Sequence, residues 1–173
     1  PQQLFVLSLL AFCTLFAEGA VADWSAVYLD GPLAMGAGAA ALGFAVFSLA
    51  MVSGRLAGDR VTSKVGPVAL TRGGGLLAAG SLALALIIGH PVAALIAFFG
   101  VGAGLATTVP IVFRAAGSHP GVAAGTGIAA VSTVGYIGFL AGPPAIGSTA
   151  ELVGLPAALG LVVLATAMMV LLP

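Results

Sequence analysis

The sequence predicts an all-α membrane protein, one domain over residues 1–173 built as a bundle of six transmembrane helices. Composition is the first reason: 6% of residues are charged and 61% are hydrophobic, and the mean hydropathy is +1.24. A soluble domain carries about 25% charged residues. This chain lacks the polar groups to cover a wetted surface, so its outside must face lipid. The second reason is length, because six runs come close to or exceed the roughly 20 apolar residues that a helix needs to cross the hydrocarbon core. The third is charge placement. All five Lys and Arg side chains fall in or beside alternate connections, which the positive-inside rule assigns to the cytoplasm.

The first run covers about 4–28, and Trp24 and Tyr28 lie near its outer end, where rings with a polar edge favour the membrane interface. The second covers about 36–56 and leads into Arg55, Arg60 and Lys64. The third, about 67–89, holds Arg72 beside Gly73, Gly74 and Gly75. The fourth, about 91–113, carries Gly100 and Gly104 four residues apart, with Pro110 and Arg114 at its inner end. The fifth, about 122–146, carries Gly135, Gly138 and Gly142 and places Tyr136 at mid-span, where its hydroxyl needs a partner or a watery cavity. The sixth covers about 155–172.

The connections holding Asp30, His90 and Glu151 contain no basic residue, so an even number of spans puts both termini in the cytoplasm. The chain opens at Pro1 rather than Met and closes at Pro173 directly after an apolar run. Both ends read as cuts in a longer chain, and no cleavable leader is evident.

Inside lipid, helices associate by close packing of small residues. The glycines of the fourth and fifth runs suit that role. Pro110 and the Pro143-Pro144 pair remove backbone donors and should kink or end their helices. Static packing and helices that move against each other are both open readings.

An acidic residue inside a membrane helix is costly and marks a functional site by default. Glu18 stands about 14 residues into the first run, roughly 21 Å along its axis, with Ala22 and Ser25 on the same face. Glu18 is expected to face a central cavity as a proton-titrating or substrate-binding carboxylate, or else to be a protonated side chain bonded to a neighbouring helix. Asp23 lies about 7.5 Å further out and roughly 140° around the helix. It either joins the substrate and proton pathway or is hydrated near the interface. Arg72 and Arg114 are close enough to the surface to snorkel. His90 and His119 fall in connections on opposite sides and cannot share a metal, and Cys13 reads as a small buried hydrophobe. No metal site is expected.

Several functions are excluded on these residues. Net charge is zero with no basic tract, so nucleic acid is not a partner. No Gly-x-Ser-x-Gly, paired-acid or phosphate-cradling loop is present, which argues against an enzyme, an ATP-driven pump and any cofactor.

Between the second and third runs stands Gly54-Arg55-Leu56-Ala57-Gly58-Asp59-Arg60, followed by Lys64 and Gly66. Physically it reads as a tight cytoplasmic turn with fixed charges. Gly54 and Gly58 would allow close helix approach, and Asp59 could accept from a helix start or pair with Arg. Here the sequence resembles the major facilitator superfamily, whose G-x-L-a-D-r-x-G-r-k signature joins the second and third helices of each six-helix half. Gly54 to Asp59 is one residue longer than the usual spacing, and Pro67 follows Gly66 where basic residues are expected, as in second-half copies of the motif. The chain thus resembles helices seven to twelve of a twelve-helix transporter. Glu18-Gly19 with Asp23-Trp24-Ser25, and the run from Gly135-Tyr136 to Pro143-Pro144, resemble a sparsely characterised bacterial branch related in architecture to sugar permeases.

The resemblance implies that Asp59 helps latch the cytoplasmic ends of neighbouring helices and that a small-molecule substrate sits at midplane between two halves. It implies a secondary active transporter working by alternating access, and Glu18 favours a proton as the coupling ion. Uptake by symport and efflux are both open. The partner would be the missing N-terminal half or a second copy. The alternative is a non-transporting sensor or scaffold of the same fold. High Ala, Gly, Val and Leu with one lysine points to the cytoplasmic membrane of a GC-rich bacterium.

Overall fold

The computed structural model describes residues 2–172. Pro1 and Pro173, on which the expectation of a cut chain rests, lie outside the described residues. The helices are α1 (Gln2–Asp30), α2 (Ala37–Val65), α3 (Pro67–Ile88), α4 (Pro91–Gly117), α5 (Ala124–Val153) and α6 (Leu155–Leu171). The first five are long and apolar enough to cross a membrane. The sixth, about 25 Å at 1.5 Å per residue, falls slightly short of the 30 Å core.

Local chemistry sets the helix ends. Gly66 and Gly154 take φ of 88° and 85°, which an L side chain resists, so each stops one helix and starts the next across a single residue. Gly89 closes α3 in the left-handed region with its N–H on the Ala85 carbonyl. His90 then caps α4, its Nδ1 accepting from the Val92 N–H at 3.2 Å, and Pro91 opens the first turn. His90 stays exposed while it caps the helix.

Proline produces two different outcomes. α4 is interrupted at Ala106–Thr107. Pro110 has no N–H for the Ala106 carbonyl four residues back, and its ring crowds that carbonyl. In α5 the helix instead runs through Pro143 and Pro144 to Val153, so the expected end near residue 146 is corrected. Pro143 denies a donor to the Phe139 carbonyl, and that oxygen lies against Gly19 of α1, 2.5 Å from where a Cβ would stand. Freed carbonyls in a membrane helix are tolerated where a neighbouring helix closes over them.

α2 is also longer than expected. It continues beyond residue 56 to Val65, so Gly54 to Arg60 is helix and not a turn. Gly and Asp are weak helix formers, but packing against α4 outweighs that preference.

At the centre of the bundle, α1 packs on α5, α6, α4 and α2, while α4 packs on α3, α2 and α1. α2 and α5 flank this pair and keep the most exposed surface. Glycine sets the crossings. Gly74 of α3 and Gly104 of α4 face each other so closely that each backbone carbonyl occupies the space of the other's missing Cβ. Gly100 abuts Ser81, and Gly102 meets the Phe47 carbonyl of α2. Across the second crossing, a Cβ on Gly138 or Gly142 would stand 2.5 or 2.6 Å from the Phe12 or Phe16 carbonyl of α1, and one on Gly135 would stand 2.8 Å from Leu15. With no hydrophobic drive between helices in lipid, such backbone contacts and the dispersion they allow hold the bundle. Tyr28 is buried edge-on to Phe98, ring centres 6.5 Å apart. It therefore belongs to the core and not to the interfacial belt expected for it.

Candidate functional site

The acidic side chain within α1 finds a partner on α2. Glu18 Oε1 lies 3.8 Å from Arg55 Nη2, with side chains 23% and 48% exposed respectively. The separation is an ion pair without a hydrogen bond. Glu18 Oε2 is buried with no hydrogen-bond partner among the described protein groups. Leu15, Glu18, Ala22 and Ala26 form a strip of intermediate exposure on α1, because three- and four-residue steps stay on one helix face. The pair therefore sits on a side that the bundle covers only in part.

Arg55 can reach Glu18 because α2 is continuous here. It stands eleven residues before Gly66, about 16 Å along the axis from the turn, well inside the helix. Asp59 follows one turn later on the same face and receives a hydrogen bond from Arg114 of α4 at 3.0 Å. Both partners of that second pair are largely exposed, 68% for Arg114 and 88% for Asp59.

Gly54 and Gly58 lie on the same side of α2. A Cβ on Gly54 would stand 2.5 Å from the Ala106 methyl, and one on Gly58 would stand 3.2 Å from the Thr107 methyl. α2 thus docks on α4 at the interruption caused by Pro110. A crevice of about 30 Å³ remains there, bordered by Arg55, Asp59, Thr107, Pro110 and Arg114. Arg60 is exposed, its carbonyl accepting from the Ser63 hydroxyl.

The other expected site residues lie elsewhere. Ser25 is fully buried, its hydroxyl unpartnered, with its Cβ 3.3 Å from where a Cβ on Gly43 of α2 would stand. It lies in the interface between α1 and α2. Asp23 opens on a cleft of about 450 Å³ between α1 and α5, at the end away from the basic residues, shared with Trp24, Pro143, Pro144 and Glu151. The Trp24 indole N–H donates to the Pro143 carbonyl at 3.0 Å across that junction. Tyr136 is 62% exposed on the outer side of α5. A cavity of about 620 Å³ opens at the basic end between α1, α3, α4 and α6, lined mainly by apolar side chains with Thr71, Ser118 and His119. None of the expected site residues borders it.

Sequence reasoning missed the partners. It placed Arg55 in a connection and Arg114 as a snorkelling charge. The available signal was Arg55 and Asp59 four residues apart with Gly54 and Gly58 one position before each, a pattern that gives one helix face both small and charged groups.

An ion pair held between helices long and apolar enough to cross a membrane places the molecule among helical membrane proteins. Comparison with known proteins agrees. The chain is 42% identical over 158 residues to an uncharacterized MFS-type transporter of Yersinia pestis, covering 91% of this chain and 41% of that protein. It is 40% identical over 157 residues to the membrane protein MosC of Rhizobium meliloti, covering 91% and 39%. It is 36% identical to an uncharacterized transporter of Sinorhizobium fredii, covering 86% and 39%. Among solved structures, it superimposes on a mutant of the peptide transporter POT in complex with sulfate, with a TM-score of 0.85 over 99% of this chain and 37% of that one, at 19% identity. No family profile matches the chain. The chain belongs to the MFS-type transporters as one six-helix half of their fold, and it spans about 40% of the length of the curated relatives it matches.

Proposed function

We propose that the chain is the second six-helix half of a proton-coupled secondary transporter, in which Glu18 is the titrating carboxylate and a small solute binds between this half and another. The observation that carries this reading is the Glu18–Arg55 pair at 3.8 Å on a partly covered strip of α1. A charge inside the membrane is costly, and the pair is too loose for packing alone to account for keeping it. Alternating access then follows from rocking the two halves about the shared site. Asp59–Arg114, at the basic end, would latch α2 to α4 when that end is closed. The basic end is assigned to the cytoplasm of a bacterial inner membrane, with both termini there.

Two experiments test the reading. The first reconstitutes the full-length protein in liposomes with an internal pH dye and an imposed pH gradient, and adds a panel of neutral sugars, polyols and amino acids. A solute that drives proton flux with the unaltered protein should drive none with Glu18→Gln. Equal flux in both would remove Glu18 from the coupling. The second places single cysteines at Asp30, Glu151, Ser63 and Ser118 after replacing Cys13. A membrane-impermeant thiol reagent applied to intact cells should label positions 30 and 151 only. Labelling at 63 or 118 would reverse the orientation.

A further inference from the structure

We propose that Arg55 is a coupling residue whose guanidinium is shared in turn by Glu18 and Asp59, so that the state of Glu18 sets how firmly α2 is latched to α4. The inference rests on the reading of Glu18 as the transport carboxylate and adds a physical link between that carboxylate and the basic end of the bundle.

Four observations support it. Arg55 touches Glu18 only loosely, at 3.8 Å and without a hydrogen bond. It also borders the crevice that contains Asp59 and Arg114, so the same side chain reaches toward both acids. Arg55 and Asp59 stand at i and i+4 on one helix face, the spacing at which such side chains meet. The latch that Arg55 would compete for joins the part of α4 beyond the Ala106–Thr107 interruption, which carries Arg114. That segment has lost the helical bond at Pro110, so it is the portion of α4 best able to swing.

A guanidinium has five N–H donors in a planar fork. While Glu18 is ionised, it draws Arg55 toward α1, and Asp59 is left to Arg114. When Glu18 loses its charge or gives it to a ligand, Arg55 keeps only Asp59 within reach on its own helix. It then competes with Arg114, and the latch loosens. The other charged groups on surrounding elements are Asp23 and Asp30 on α1, Arg60 and Lys64 on α2, Arg72 on α3 and Glu151 on α5, while α6 carries none. Asp23 and Glu151 open on the cleft at the other end. Arg60 and Lys64 lie toward the basic end of α2, and Arg72 is an exposed side chain of α3.

The test reads the latch without needing a substrate. A cysteine replaces Thr62, which borders the crevice, in the full-length protein lacking Cys13. Its labelling by a thiol reagent is timed in inside-out membrane vesicles. Glu18→Gln should speed labelling about fivefold or more, the lower end of typical coupling between sites. Adding Arg55→Gln to Glu18→Gln should return the slow rate, whereas adding Arg55→Lys, which keeps the charge, should leave it fast. Asp59→Asn should be fast in every background. Glu18→Ala repeats the test if Glu18→Gln reaches the membrane poorly. Slow labelling with Glu18 neutralised, or fast labelling that survives Arg55→Gln, overturns the proposal. If Glu18→Gln stops solute-driven proton flux but leaves labelling slow, the coupling fails and the transport reading stands. If flux continues while labelling follows Arg55, the transport reading fails and the link between the two acids stands.

Discussion

The two ion pairs made by α2 lie one helical turn apart and differ in almost every respect. Glu18–Arg55 is loose, partly buried and made between side chains within apolar helices. Asp59–Arg114 is hydrogen-bonded and exposed at both partners. Distance alone would rank the second as stronger, but surroundings decide otherwise. An exposed pair is typically worth about 0–1 kcal/mol because water and salt compete for both charges. A partly buried pair gains little over two neutral groups, yet breaking it strands a charge, and that is costly. The exposed latch is therefore cheap to open, while the partly buried pair is expensive to open without first neutralising a partner. That asymmetry suits a device in which an event at the Glu18–Arg55 pair releases the Asp59–Arg114 pair.

The comparison can be broken most completely at Gly54, which seats α2 on α4 between the two pairs. Gly54→Leu drives a side chain into the Ala106 methyl, and overpacking of this kind costs about 1–3 kcal/mol or more. The expected outcome is a large drop in the detergent melting temperature of the full-length protein, with both pairs lost. An unchanged melting temperature would show that α2 does not dock where described.

Next in size is Arg55→Leu, which leaves Glu18 without its countercharge. A loss of about 1–3 kcal/mol is expected, the cost of stranding a partly buried polar group. Glu18→Gln combined with Arg55→Leu should recover most of that loss. A double-mutant cycle with no coupling energy would mean that the partly buried pair is incidental.

Asp59→Asn should be the mildest of the three for stability, within about 1 kcal/mol. Its effect should shrink further as salt is raised from 0.05 to about 0.5 M, since exposed charges are screened beyond a Debye length of about 10 Å at 0.1 M. A salt-insensitive loss larger than that of Arg55→Leu would invert the ranking of the two pairs.

Much of the architecture was legible because it follows from solvent and spacing. The apolar runs gave six helices at close to their true positions, since the run length needed to cross lipid is fixed. The glycines at 100, 104, 135, 138 and 142 read as packing positions, and each is held against a neighbouring helix. What was not legible depended on partners distant in sequence. α2 was cut short at residue 56 because Gly58 and Asp59 look like turn residues, and only the docking of Gly54 and Gly58 on α4 keeps that stretch helical. α5 was ended at its prolines because nothing local reveals that Gly19 closes over the Phe139 carbonyl. Glu18 was singled out from its position alone, and Asp59 was allowed an Arg partner, but neither Arg55 nor Arg114 was named, because pairing across helices is set by helix rotation and not by neighbouring residues.

The prolines of α5 also bear on how the protein is made. Trp24 and the Pro143 carbonyl are 119 residues apart in the chain, and the Phe139 oxygen freed by Pro143 meets α1 at the same junction. At synthesis rates of about 5–20 residues per second, α1 enters the membrane roughly 6 to 24 s before the helix it must cover. Until then the glycine-bearing face of α1 is open to lipid or to whatever attends the newly made chain. Once α5 arrives, its prolines bring carbonyls with no donors of their own. The closing of the bundle therefore waits on its fifth helix, and a chain stopped before residue 139 would leave the α5-facing side of its first helix uncovered.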